Sequence, residues 1–296
     1  MPKSGIFVVT TLQKNALMST ENKDTKKRKR YSSDMSENGW KKLNPILEQL
    51  YPAFSVGRPR SVSLKEVLNA IFYIVKNGCV LRDLPSDFPV WQTVYKYYIK
   101  FCKNGIWEFI SCWFTKKHRR EDLKRTNERP IATIIDSQSV KNGTYGSEEC
   151  GYDGGKKVKG IKRFILVDTQ GLILAVFVCA ASISEKEGAI KLMQHIKNNP
   201  VLCELCENLS LVWADGGYRG QELADFAKTE MGWDWEVVLR SDTEKGFKVL
   251  PRRWVVERTF GWLNHYRRLS KNYEYRKEYS ENLLYIVNLA IVLKRL

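Results

Sequence analysis

The chain has 296 residues, 49 Lys+Arg against 33 Asp+Glu, and a formal net charge of +16. With 43% apolar and 12% aromatic residues it can bury a core, which excludes a globally disordered chain. No apolar run nears the ~20 residues a membrane helix needs. The charge is uneven: residues 1–130 hold 25 basic and 12 acidic residues, and residues 131–296 hold 24 and 21. A basic front half points to a polyanion, usually nucleic acid, over the plainer reading of a solvated surface. Seven cysteines in no framework spacing suggest reduced thiols and a cytoplasmic protein. The apolar stretch at residues 6–9 is too short for a secretory signal.

Residues 1–30 read as a basic tail, with N-K-D-T-K-K-R-K-R at residues 22–30. It is either a disordered arm on phosphates or an inert solubilising segment. Met18 is a second candidate start. Ser36 can cap a helix carrying Trp40, Leu43, Ile46, Leu47 and Leu50. Pro45 inside it implies a kink, or a restart capped by Asn44. A loop at residues 51–60 holds the basic G-R-P-R string. Ser63 with Glu66 forms a capping box for a helix through Leu64, Val67, Leu68, Ile71, Phe72 and Val75, stopping near Gly78. A turn at residues 82–89 leads to a helix over 90–103 and another over 107–119. Together residues 31–128 form a small helical domain of helix–turn–helix flavour. In the 90–103 helix, Lys96 and Lys100 interleave with Tyr95, Tyr97 and Tyr98, which suits either a grip on nucleic acid or an ordinary amphipathic face.

After Pro130 the periodicity switches. Residues 131–135 read as a buried strand ending in Asp136. Residues 143–160 read as a long loop with six glycines. Strands at 163–167 and 172–179 flank D-T-Q-G, a hairpin signal. Ser184 with Glu187 caps a helix to about residue 198. A strand at 209–214 ends in Asp215, a helix covers 221–230, and a strand covers 235–239. Helices over 252–269 and 280–296 close the chain, the last largely apolar. This order predicts a mixed α/β sheet with helices packed on it.

Two strands thus end in an aspartate. As neighbours in one sheet they would set Asp136 and Asp215 side by side, where ligand sites of α/β sheets cluster. Each alone is as well read as a turn residue or cap. Two carboxylates held together repel unless a cation neutralises them, and a hard divalent ion does so. Glu257 sits on a helix face with Arg253, Gly261, Asn264 and Arg268, beside an apolar stripe of Val256, Phe260 and Leu263. Alone it is an ordinary i,i+4 pair with Arg253. Joined with Asp136 and Asp215 as catalytic and metal-ligating residues, it suits two Mg²⁺ ions, with Mn²⁺ a substitute, acting on phosphodiesters. The basic front half then has DNA as its partner.

Four strings carry a resemblance. They are I-I-D-S-Q-S-V-K at 134–141, G-Y-D-G-G-K-K-V-K-G at 151–160, W-A-D-G-G-Y-R-G at 213–220 and L-P-R-R-W-V-V-E-R-T-F-G-W-L at 250–263. G-R-P-R at 57–60 and L-R-D-L-P at 81–85 add to them. In this order the chain resembles DDE transposases of bacterial insertion sequences, in the insertion-sequence-five-like branch. The resemblance covers about residues 31–296 and implies a ribonuclease-H-like fold for residues 129–296, with Asp136, Asp215 and Glu257 as the triad. It also implies binding of terminal inverted repeats, cleavage at the DNA ends, strand transfer into target DNA, and a homodimer on DNA. One departure stands out. The superfamily's Tyr and Lys around the Glu helix are here Leu250 and Asn264, so Arg267, Arg268 or Lys271 would supply those phosphate contacts.

The loop from 151 to 163 lacks P-loop spacing, so Lys156, Lys157, Lys159, Lys162 and Arg163 read as a DNA clamp beside Asp136, against a mobile solvated loop. Arg253, Arg267 and Arg268 join Lys156, Lys157, Lys159, Lys96 and Lys100 as candidate DNA contacts. Asp153 and Asp168 read as loop and turn residues. The lone C-x-x-C at 203–206 argues against zinc. The rival reading is a catalytically silent, transposase-derived DNA-binding protein or repressor.

Overall fold

A computed structural model of the chain describes residues 28–52, 60–126, 131–238 and 254–295. The expected tail up to residue 27, the G-R-P part of the G-R-P-R loop, Leu250 and Arg253 lie outside the described residues.

Four helices open the fold: α1 (Glu37–Leu50), α2 (Leu64–Asn77), α3 (Trp91–Lys103) and α4 (Ile106–Thr126). Ser36 caps α1, its Oγ accepting from the Gly39 amide at 2.9 Å. The helix runs through Pro45 as one element, so the expected restart at Asn44 does not occur. Leu43 and Leu47 are fully buried and hold it from below. Ser63 occupies the cap position of α2 but makes no capping bond, and Glu66 turns to Arg28 and Asn69 instead. Gly78 ends α2 at φ 70°, a left-handed conformation suited to glycine. α4 is seven residues longer at its end than expected, because its basic run stays helical.

The sheet follows as β1 (Ala132–Lys141), β2 (Gly151–Asp153), β3 (Val158–Asp168), β4 (Ile173–Ala180), β5 (Leu211–Ala214) and β6 (Asp234–Val237). Its helices are α5 (Glu185–Asn198), α6 (Pro200–Cys206), α7 (Gln221–Phe226), α8 (Trp254–Asn264) and α9 (Lys277–Arg295). β1, β3 and β4 form an antiparallel meander, and β5 and β6 add to β1 in parallel. Three antiparallel strands with two parallel ones on the free side of β1 make the fold ribonuclease-H-like. β2 pairs with the start of β3 on the edge away from β1.

Four expectations change. β1 does not end at Asp136: β3 pairs with it as far as Lys141, so the strand continues. The 143–160 loop contains β2 and the beginning of β3. The reading had no helix at α6, which Asn199 caps by accepting from the Val201 amide at 3.0 Å, with Pro200 in the first turn. The last long amphipathic stretch is α8 followed by a separate 3-10 turn at Arg267–Leu269, rather than one helix to 269.

α5 packs on one sheet face, where a Cβ on Gly188 would lie 2.0 Å from the Phe164 ring. α8 packs against β1 through buried Val255, Val256, Thr259, Phe260 and Leu263. α9 lies along β4. The amides of Ile173, Val176 and Val178 donate to Asn288 Oδ1 (2.9 Å), Tyr285 OH (3.2 Å) and Glu281 Oε1 (2.9 Å). These side chains satisfy an edge strand whose backbone would otherwise be bare. α9 also packs on α2, α3 and α4, so front helices and sheet share one hydrophobic core.

Candidate active site

β1 and β5 run parallel with Ala132 opposite Leu211, Thr133 opposite Val212 and Ile134 opposite Trp213. Continuing that register by two residues sets Asp215 level with Asp136. β5 stops at Ala214 while β1 runs on, so the pair sits at the point where the parallel neighbour ends. Asp215 caps the 3-10 turn Gly216–Tyr218, its Oδ1 accepting from the Gly217 amide at 2.8 Å. Asp136 Oδ1 accepts from the Ser137 amide at 2.7 Å. Both aspartates are partly exposed.

Glu257 lies in the first turn of α8 and is exposed. The link to β1 is Gln138, whose Nε2 donates to Asn264 Oδ1 at 3.5 Å. Gln138 is two residues on from Asp136 and so shares its sheet face. Asn264 is seven on from Glu257 and so shares its helix face. Thr259 Oγ1 donates to Gly171 O at 2.8 Å and fixes α8 to the β3–β4 turn. Thus α8 crosses the Asp136 face with Glu257 on its exposed side. Among the described residues, no three His, Cys, Asp or Glu side chains come close enough to share a metal ion. The register brings Asp136 and Asp215 together, and Glu257 stands on the neighbouring helix without closing a three-ligand cage.

Three neighbours escaped the sequence reading. Tyr218 is fully buried. Burial pushes its hydroxyl well above the ordinary tyrosine value, and the Asp136, Asp215 and Glu185 carboxylates add to the rise. It therefore stays a neutral phenol beneath the acidic pair. Glu185, in the first turn of α5, comes within contact of Gly217 and accepts from Lys162 Nζ at 3.2 Å. Ser137, on the α5 side of β1, is buried. The only signals for them were a Tyr three residues after Asp215 and an acidic residue just after the Ser184 cap.

The candidate DNA contacts divide. Lys156, Lys157 and Lys159 are exposed around the β2–β3 turn, with Lys157 at φ 54°. Lys156 Nζ donates to Ser137 O at 3.2 Å, which brings this loop beside Asp136. Lys162 and Arg163 do not belong to a clamp, because both are buried inside β3. Lys162 donates to Ile183 O at 2.7 Å, and Arg163 to Leu269 O at 2.8 Å. Arg267 is exposed, whereas Arg268 is bound to Glu274 at 2.6 Å. Lys96 is exposed. Lys100 donates to the Tyr51 hydroxyl at 3.0 Å and lies over its ring. Arg253 is outside the described residues. Asp168 accepts from the Gln170 and Leu172 amides at 2.9 Å, as a turn residue does. Asp153 accepts from the Gly155 and Lys156 amides at 3.1 and 2.9 Å.

No described helix is long and apolar enough to cross a membrane. The family described as "Transposase DDE domain" matches residues 127–293, more than half of the chain. "Putative transposase of IS4/5 family" matches residues 35–111. A relative from Burkholderia cepacia, "Putative transposase for insertion sequence element IS402", is 30% identical over 125 residues. That match spans 40% of this chain and 56% of the relative, little more than half its length. A solved structure, "Mos1 transposase paired-end complex with left transposon end", aligns at 12% identity with a TM-score of 0.22, over 73% of this chain and 61% of that one. With its sheet order and a family match over more than half its length, the chain belongs to the DDE transposases of insertion sequences.

Proposed function

We propose that this chain acts on DNA as the transposase of an insertion sequence, cutting the element's ends and joining them to target DNA. The observation that carries this is the parallel β1–β5 register, which sets Asp136 and Asp215 level at the end of β5. The residues fit divalent cations: two partly exposed carboxylates side by side are hard oxygen donors, and their mutual repulsion favours a cation between them. Asp136, Asp215 and Glu257 would hold two Mg²⁺ or Mn²⁺ ions. Such ions, when bound, activate a water or 3′-hydroxyl and stabilise the leaving oxygen of a phosphodiester. Asp136 and Asp215 would set the position of the reacting phosphate. Glu257, on the exposed face of α8, would supply the third carboxylate. Lys156, Lys157 and Lys159 would hold the strand beside Asp136, with Arg267 exposed just after α8 and Arg268 held back by Glu274, and Arg253, outside the described residues, would add a contact on the sequence argument alone.

In this reading residues 31–128, including Lys96 and Lys100, bind the terminal inverted repeats, and residues 129–296 carry the chemistry. The basic residues before 31 add phosphate contacts, and two copies act together to pair two ends. The test is Mg²⁺-dependent cleavage of a duplex carrying the element's end. Asp136→Asn and Asp215→Asn should each lower cleavage more than the ~10–100-fold typical of losing a residue that merely supports a ligand. DNA binding should persist in both. Binding without cleavage by the native chain would instead favour a silent, transposase-derived binding protein.

A further inference from the structure

α4 carries a basic stripe that the sequence reading did not include. Trp113, Lys117, Arg120 and Lys124 follow one another at i, i+4, i+7 and i+11, so they stand within a narrow arc of the helix. The far side is buried: Trp107, Ser111, Phe114 and Thr115 lie in the core. The stripe is therefore held on a fixed element. Trp113 is 38% exposed, with the Lys117 ammonium 5.4 Å from its ring centre. Arg120 and Lys124 are exposed. Lys116, at the edge, is committed to Glu204 at 2.7 Å. Among the described residues Lys117, Arg120 and Lys124 make no ion pair with the acidic residues that share their groove, Glu121 and Glu204, the latter being taken by Lys116. Trp113, Lys117, Arg120 and Lys124 line one wall of this groove of about 330 Å³ between α4 and α6, whose other lining includes Val201, Glu204 and Leu205.

We infer that this stripe is a second nucleic-acid surface, one that takes the phosphate backbone of duplex DNA without reading its sequence. The inference rests on the DNA-transposase reading and adds a contact face to it. From Lys117 to Lys124 the helix rises about 10.5 Å at ~1.5 Å per residue. One DNA strand offers a phosphate every ~3.4 Å of axis, so three cations in line track about three successive steps of a single strand. An indole at the end of such a row is a stacking surface for a sugar or base. A protein partner would want apolar anchors here. The stripe instead presents unpaired charge on long, flexible stems, and the groove it lines is walled by Lys116, Lys117, Arg120 and Lys124 as much as by apolar side chains.

The experiment measures affinity for a random-sequence duplex across a salt series. The native full-length chain is compared with the triple variant Lys117→Gln, Arg120→Gln, Lys124→Gln. Glutamine keeps helix propensity close to that of lysine and arginine, and a melting curve confirms the fold. Each phosphate neutralised contributes about 0.9 to the slope of log affinity against log salt, so the variant's slope should fall by roughly 2 to 3. A control, Lys197→Gln, Lys228→Gln, Lys294→Gln, removes the same net charge from exposed positions outside residues 31–128 and should leave the slope near native. If the variant keeps the native slope, or the control loses as much, the stripe is not a DNA surface. If the native chain does not bind duplex at all, the transposase reading goes, and the stripe with it.

Discussion

A single carboxyl at the joint between sheet and C-terminal helix sets a pH dependence. Burial pushes the Glu281 carboxyl up from its ordinary 4.5 to about 8. The Val178 amide and Lys277 pull it down, and Glu108 pushes it further up. Glu108 is itself raised by burial, against a hydrogen bond from Asn199. A group raised in the folded state holds its proton more tightly there than in the unfolded chain. Its stabilising contribution is complete below pH 4.5 and is lost as pH rises through about 8. Native stability should therefore decline across that window. Glu281→Gln keeps an acceptor for Val178 without the charge, so its decline should be shallower and its stability at pH 8 higher than native. Urea midpoints from pH 5 to 9 check this, and parallel native and variant profiles would refute it. In sequence this residue was invisible: a glutamate in the first turns of an apolar helix looks like a solvent-facing cap. Only the edge strand lying against it shows what it does. Asp136 and Asp215 stood out only as a pair: each alone reads equally as a turn residue or cap, and it is the long-range β1–β5 pairing that brings them level.

At the scale of elements, what was legible followed from periodicity, and what was missed followed from tertiary pairing. The capping pairs and Gly78 placed helix starts and stops because those signals are local. β1 was cut short because Ser137 and Gln138 look like a turn, yet β3 supplies pairing partners as far as Lys141. The helix expected over 107–119 runs on to Thr126 in α4, because lysine and arginine are good helix formers and the helix is already nucleated on Trp107 and Ile110. α5 gives a measurable case of local preference against packing. Alanine in place of a mid-helix glycine favours the helix by about 1 kcal/mol. At Gly188, however, the new Cβ would fall 2.0 Å from the fully buried Phe164 ring. Overpacking of this kind costs about 1–3 kcal/mol. Packing should win, so Gly188→Ala is expected to lower stability by about 1 kcal/mol or more in denaturant unfolding. A more stable variant would show that the α5–sheet contact yields easily.

Across the whole molecule, α9 decides how the parts cohere. Its apolar residues join the front helices to the sheet in one core, while its polar ones at 281, 285 and 288 run down one face and close the edge of β4. Asn288 does both. Its Oδ1 accepts from the Ile173 amide at 2.9 Å, and its Nδ2 donates to Ser111 Oγ at 2.9 Å and Thr115 Oγ1 at 3.0 Å on α4. The helical front and the sheet are thus tied through an amide that is 1% exposed. Two consequences follow for unfolding. The chain should lose front helices and sheet together, because neither has a complete core once α9 leaves. Asn288→Leu should weaken both, since leucine leaves the Ile173 amide and two hydroxyls buried without their partner, at about 1–3 kcal/mol for a buried group left unsatisfied. In urea the native chain should show one transition by helical signal and by tryptophan fluorescence, whose reporters Trp107 and Trp113 lie in front and Trp213 and Trp235 in the sheet. The variant should shift that single midpoint down with the slope unchanged. Two separated transitions in the native chain, or a shift confined to one of them in the variant, would mean that the front helices stand independently of the sheet. In that case Asp136 and Asp215 would keep their register while the basic surfaces on α3 and α4 moved relative to them.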